Sequence, residues 1–393
     1  MSQERPTYSK GLEGVIADES SICLVRGGEG QLFYRGHAID ELVERDFDEV
    51  AHLMVVGHFG DAAELSAFRA ALAAGSVLPE HLRRVLEDQA REQHPMEVLM
   101  ALLPLLGTLR PADIETERVA ENGGKITRVR NEEAQRADLL RILGALPTVI
   151  ASFHRQRQGL EIIEPDPSLD YLTNFLTMFH GRRANPDDVR SFAIAAILQM
   201  EHGFNASTFT ARCVASTLAP MHACFAAAVA ALYGKLHGGA DEAAFRMARD
   251  AIGSIDRVDT YLDELLATGG KVMGLGHRVY RNIDPRARIL EGMARTLCAR
   301  KGDDSQAILD VLVRVDASMR ARANAKGQAL YPNVEFYKGP VFHALGIPTD
   351  HFTAMFALAR AFGWGAHVLE VFRDHRLYRP KALYVGPDPR SAA

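Results

Sequence analysis

The feature that most constrains this chain is the spacing of its apolar residues. They recur at helical intervals in segment after segment, and nowhere do strand-like runs alternate with helical ones. Helices are predicted over 40–56, 62–74, 95–106, 137–153, 169–179, 186–199, 223–232, 242–252, 257–267, 285–300, 306–323, 349–362 and 366–373. Asn185 before Pro186, and Asp284 before Pro285, read as caps with proline in the first helical position. Pro104 and Pro147 fall inside predicted helices and imply a kink or an early end. Residues 22–35 read as two short strands about a Gly-rich turn. The charged stretch 110–136, with Gly123-Gly124, reads as a surface loop or excursion. The fold class is mostly α. With no repeat, low-complexity tract or flexible linker in view, a smaller domain would have to be an insertion folded against a larger one.

Composition serves mainly to exclude. A net charge of -5 lacks the basic footprint of a nucleic-acid binder. No apolar run approaches the ~20 residues of a membrane span. The polar start MSQERPTYSKG has no apolar core of a secretory signal, so the cytoplasm is expected. Cys23, Cys213, Cys224 and Cys298 form no C-x-x-C pair. There is neither H-E-x-x-H nor a Cys/His cluster at ligand spacing, so no metal is expected. A G-x-S-x-G nucleophile elbow is also absent.

Three segments carry candidate chemistry. In Tyr233-Gly-Lys-Leu-His237-Gly-Gly, glycines flank a histidine at a helix break, where the ring can point into a cleft or merely stabilise a helix end. In Gly274-Leu-Gly276-His277 and onward, residues 271–288 hold five basic side chains (Lys271, Arg278, Arg281, Arg286, Arg288) against one acid, Asp284. Arginine at a helix start suits a carboxylate or phosphate, although a solvated basic face has the same composition. In Tyr331-Pro-Asn-Val-Glu335-Phe336, apolar neighbours would partly desolvate a carboxylate, as a general base requires; a surface salt bridge is the plainer alternative. His202, Arg360 and Arg379 count only in combination with these.

Taken in order, EHGFNASTFTAR (201–212), GKLHGGADE (234–242), GLGHRVYRNIDPRAR (274–288), YPNVEF (331–336), Arg360 in ALARAFGW and Arg379 in YRPKALYVGP resemble the citrate synthase family, over nearly the whole chain. The resemblance implies a large helical domain from 1–236 and 342–393, a smaller helical domain inserted at 237–341, and an active-site cleft between them. It implies a homodimer in which Arg379 reaches the partner's site. Glu335 would take a proton from the acyl carbon of acetyl-CoA, His237 would hydrogen-bond the thioester oxygen, and His277 would polarise and protonate the oxaloacetate ketone. His202, Arg286, Arg360 and Arg379 would bind oxaloacetate. Lys271, Val272, Met273, Gly274, Leu275, Gly276, Arg281 and Lys326 would contact CoA. Acyl-CoA would be a co-substrate, with no permanently bound cofactor.

The chain also departs from the usual family pattern. Glu335 replaces an aspartate, Gly203 an acidic residue, Lys235 a proline and Asp241 an asparagine. A branch of the family resembles it at the first two positions. The nearest alternative is a 2-methylcitrate synthase using propionyl-CoA, since one methyl group is worth only ~1–3 kcal/mol in an apolar pocket. A catalytically weak oxaloacetate or CoA binder is the alternative outside enzymology.

Overall fold

The computed structural model describes residues 8–109, 117–122, 125–130, 132–276, 280 and 282–387. Helices dominate them: α1 Ile39–Leu42, α2 Phe47–Val56, α3 Ala62–Ser76, α4 Glu80–Glu87, α5 Pro95–Leu102, α6 Glu132–Arg157, α7 Tyr171–His180, α8 Pro186–Met200, α9 Ala206–Ala215 and α10 Met221–Leu232. They continue as α11 Ala240–Arg246, α12 Val258–Ala267, α13 Pro285–Lys301, α14 Ser305–Asn324, α15 Val334–Ala344 and α16 Phe352–Arg373. A small antiparallel sheet joins β1 Cys23–Arg26, β2 Gln31–Tyr34 and β3 His37–Ala38 in that order, with Leu24 opposite Phe33 and Phe33 opposite Ala38.

The caps act where the sequence placed them. Asn185 Oδ1 accepts the Asp187 N–H at 2.8 Å and opens α8. Asp284 Oδ1 accepts the Arg286 N–H at 3.0 Å and opens α13. Each satisfies a backbone donor that the first helical turn leaves unpaired.

Four expectations need refinement. The single helix expected over 40–56 is two, α1 and α2, with 43–46 between them. Of the two outcomes expected at Pro147, a kink or an early end, the early end does not occur: α6 runs on to Arg157. Proline removes the N–H that would bond the carbonyl four residues back. Here that carbonyl, Leu143 O, instead accepts the Tyr171 hydroxyl at 2.8 Å, so the loss is repaired from α7. The segment 110–136, read as a loop or excursion, carries regular structure: Glu117–Asn122 (β4) and Lys125–Arg130 (β5) pair antiparallel, and α6 has begun by Glu132. The helices expected at 349–362 and 366–373 are one helix, α16, buried along nearly its whole length. Packing overrides the helix cost of its glycines, roughly 1 kcal/mol each. Gly363 is needed there, because a Cβ would lie 2.3 Å from both Met200 O and Glu201 Oε2.

Packing divides the helices into two groups. In the larger, α16 lies against α2, α6, α8, α9 and α10. By length and composition α6 could cross a membrane, but it is mostly buried here, against α3, α7 and α16. In the smaller group α15 packs on α11, α13 and α14, and α12 on α14. The groups meet where α13 and α15 touch α8 and where α11 touches α16. The chain therefore has a large helical body with a smaller helical body inserted in it.

Candidate active site

After α10 the chain turns through 233–239. The His237 N–H donates to Gly234 O and the Gly238 N–H to Leu232 O, both at 2.9 Å. These bonds fix a half-buried imidazole whose ring meets Phe356 edge-on, with centroids 6.2 Å apart. Burial, and then the Arg360 charge, hold the His237 pKa down at about 4, although Glu335 pulls the other way. The ring is therefore neutral at pH 7 and has one N–H to donate.

Its Nε2 lies 2.8 Å from Oγ of Ser207, a buried residue in the first turn of α9. The Trp364 indole N–H donates to the same Oγ at 3.1 Å, and Asn205 Oδ1 stands 2.9 Å away. Ser207 has one proton to give. Directed at His237 Nε2, it leaves the imidazole proton on Nδ1, free to be donated away from the serine; directed at Asn205, it leaves that proton on Nε2.

Glu335 is the second residue of α15 and is half-buried. The segment before it is tied to the glycine loop. Leu275 and Pro332 form an antiparallel bridge, the Gly276 N–H donates to Tyr331 O and the Asn333 N–H to Gly274 O, each at 2.9 Å. The expected CoA loop and the expected base are thus joined by backbone. In that loop Val272 is buried, Met273 and Leu275 are half-buried, and Lys271 and Gly276 are exposed. Lys326 is exposed just after α14.

The two buried arginines of the site differ. Arg286 is clamped by its own cap residue: Nε and Nη2 donate to the Asp284 carboxylate at 3.0 and 2.7 Å. Burial opposes its charge, but Asp284 more than offsets this and keeps the guanidinium protonated. Arg360, 1 % exposed, donates from Nε to Gln199 O at 2.6 Å, while its Nη1 is buried without a partner. Burial pushes its pKa down. A buried guanidinium with an unused donor is costly and marks a place for an anion. His202 sits at the end of α8, with Nε2 3.2 Å from the Tyr280 hydroxyl. The next residue, Gly203, has φ +61°, a left-handed conformation in which an acidic side chain would be strained.

These groups converge. His202, His237, Arg286, Glu335 and Arg360 line one cavity of about 460 Å³, together with Gly276, Asn333 and Phe356. A larger cavity of about 610 Å³, bordered by His180, Arg182, Arg183, Lys301 and His343, contains none of them. Convergence of reactive groups, not volume, identifies the site. Arg379 is not brought to this cavity; it lies exposed on the C-terminal strand of chain, bonded to its neighbour's carbonyl, Pro380 O, at 3.0 Å. His277 and Arg281 lie outside the described residues. Among the described residues no cluster of three or more His, Cys, Asp or Glu side chains is placed to hold a metal ion. Sequence reasoning missed Ser207, Phe356 and Trp364. Ser207 stood inside a quoted motif; Phe356 and Trp364 looked like ordinary core.

A carboxylate facing a neutral histidine, beside buried guanidinium groups, equips a helical enzyme to activate a weakly acidic carbon next to an anionic partner. The chain belongs to the citrate synthase family: the family model described as "Citrate synthase, C-terminal domain" matches residues 11–381. It is 38% identical over 379 residues to a citrate synthase of Deinococcus radiodurans, covering 96% of each chain. It is 35% identical to a 2-methylcitrate synthase of Shewanella oneidensis, over 99% of this chain and 98% of that one. Among solved structures, the citrate synthase of the archaeon Thermoplasma acidophilum, in ternary complex with carboxymethyl coenzyme A and oxaloacetate, superposes with a TM-score of 0.89 at 28% identity, covering 98% of both chains.

Proposed function

We propose that the chain condenses acetyl-CoA with oxaloacetate and hydrolyses the resulting citryl thioester to citrate and CoA. The observation that carries this reading is the convergence of Glu335, the neutral His237 and the half-satisfied Arg360 on one cavity. Glu335 takes the α-proton of the thioester, and His237 donates to the oxygen on which negative charge develops. Preorganised donors of this kind supply a large share of the rate. The carbon so formed attacks the oxaloacetate ketone, whose oxygen receives its proton from His277. Water then cleaves the thioester and releases CoA. His202, Arg286 and Arg360 hold oxaloacetate, because guanidinium forks match its two carboxylates. Arg379, exposed and unused by its own cavity, does so in the partner of a homodimer. CoA lies along 271–276, with Arg281 and Lys326.

The proposed bodies are 1–236 with 342–393, and 237–341, and the cleft between them is the site. We assign the protein to the cytoplasm, with no resident cofactor. Kinship with the Shewanella enzyme favours a second reading, 2-methylcitrate formation from propionyl-CoA. A thiol-release assay with oxaloacetate and each acyl donor separates the two. Turnover with acetyl-CoA well above that with propionyl-CoA is the expected result. The reverse preference assigns the second reading, and no turnover with either donor, despite oxaloacetate binding, leaves a binding protein.

A further inference from the structure

Two departures noted in the sequence, Glu335 and Asp241, are connected in the structure by a third residue. Lys338 stands three residues after Glu335 on α15 and is fully buried; its Nζ lies 2.7 Å from Oδ2 of Asp241, equally buried in the first turn of α11. Asp241 follows His237 by four residues. The pair thus joins the helix of the base to the turn of the histidine. Among the described residues neither atom has another polar partner, and the contact is an ion pair rather than a well-aligned hydrogen bond. The Asp241 Oδ1 is occupied by the Glu242 N–H at 2.8 Å.

Lys338 also borders the site through Phe356. Its Nζ lies 4.1 Å from the centre of that ring, the Arg360 guanidinium lies 4.8 Å from it, and His237 packs against its edge. After burial and Arg360, the Lys338 charge helps keep His237 neutral. Two charges with so few hydrogen bonds recover little stability for the desolvation they cost, and one attested use of buried pairs is to specify an arrangement.

We propose that Lys338 and Asp241 are positioning residues, whose buried pair sets the first turn of α15 against the His237 turn at the spacing a glutamate base requires. An aspartate at 335 is one methylene shorter, and an error of roughly 1 Å at the reacting atoms costs about a hundredfold in rate. The pair is thus the compensation for Glu335. This rests on the proposed function above.

The test is a cycle in the full-length protein: E335D, D241N/K338M, and all three changes together, with kcat, the KM for oxaloacetate and the unfolding temperature measured for each. D241N/K338M removes both charges and keeps an apolar stem against Phe356. It is expected to lower kcat about tenfold, with KM and unfolding temperature little changed. E335D is expected to cost much less in that background than in the wild type, because coupled residues are not additive. Should D241N/K338M fail to fold, D241N alone takes its place in the cycle. Equal cost of E335D in both backgrounds, or full kcat without the pair, overturns the proposal. Absence of turnover in the wild type would instead overturn the functional reading itself.

Discussion

The two walls of the cavity are built differently. One comes from α8, α9 and α16 in the larger body and is wired by buried side chains: Arg360 to Gln199 O, Trp364 to Ser207, and the Tyr34 hydroxyl to Ile197 O and Glu201 O at 3.0 and 2.9 Å. The other carries the His237 turn, the 274–276 loop, Arg286 and Glu335. It is held internally by backbone bonds between the loop and residues 331–333 and by the Asp284–Arg286 and Asp241–Lys338 pairs. The first wall offers an unused cationic donor, whereas the second moves the proton. Each is fixed within its own group of helices, and among the described residues the groups touch where α8 meets α13 and α15, where α16 meets α11 and where α1 meets α13.

That contrast makes the largest effect belong to the second wall. Glu335→Gln is expected to lower kcat by about 10²–10⁴, the range for losing a general base, while calorimetry finds oxaloacetate binding within about threefold of the wild type, since it is the first wall's Arg360 that supplies the unused donor. Wild-type turnover in that variant would remove Glu335 from its role.

Arg360→Gln breaks the first wall. Hydrogen bonds to charged groups are worth ~1.5–3 kcal/mol, so the KM for oxaloacetate is expected to rise roughly ten- to a hundredfold, with a smaller change in kcat. A kcat loss with KM unchanged would reverse the division of labour.

Ser207→Ala tests a side chain that bridges the walls, through its contact with His237. It is expected to lower kcat about tenfold, since one hydrogen bond contributes ~1 kcal/mol, by freeing the His237 tautomer. It also leaves the Trp364 N–H unsatisfied, so denaturant unfolding should show a loss of ~1–3 kcal/mol. Loss of stability with unchanged kcat would make Ser207 purely structural.

The smallest effect is in pH. His237 titrates near 4 in the folded chain, against an ordinary value of 6.5. Between those values the unfolded state binds more protons, so stability rises with pH. The His237 contribution is complete above 6.5 and is lost as pH falls toward 4. His154, held near 3 by burial, acts in the same direction. His237→Gln should therefore flatten, but not abolish, the fall in unfolding temperature across that window. An unchanged slope would show that the imidazole is not held neutral by its surroundings.

Much of this was legible in the sequence because it is local. The caps Asn185 and Asp284, the glycine-flanked turn at His237 and most of the helical repeats depend on neighbours a few residues away, and they stand where expected. What misled were residues whose partners are remote. Pro147 announces a break, and only Tyr171, 24 positions on, cancels it. Two helices were expected at 349–362 and 366–373, but burial along nearly the whole length keeps α16 one helix. Phe356 and Trp364 follow the pattern of core residues and indeed are buried, yet Phe356 also meets the His237 ring and Trp364 holds the Ser207 hydroxyl that His237 contacts.

By itself the sequence determined a mostly helical chain, the loops that bear His237 and Glu335, and the four departures from the family pattern. The tertiary structure decided what those residues are worth. A histidine becomes a neutral donor through desolvation and the nearby Arg360, and an arginine becomes an anion seat when one of its donors is buried without a partner. Asp241 and Glu335 read as separate substitutions until Lys338 joins them. Charge, burial and distance act through space, and only the fold determines which residues share that space.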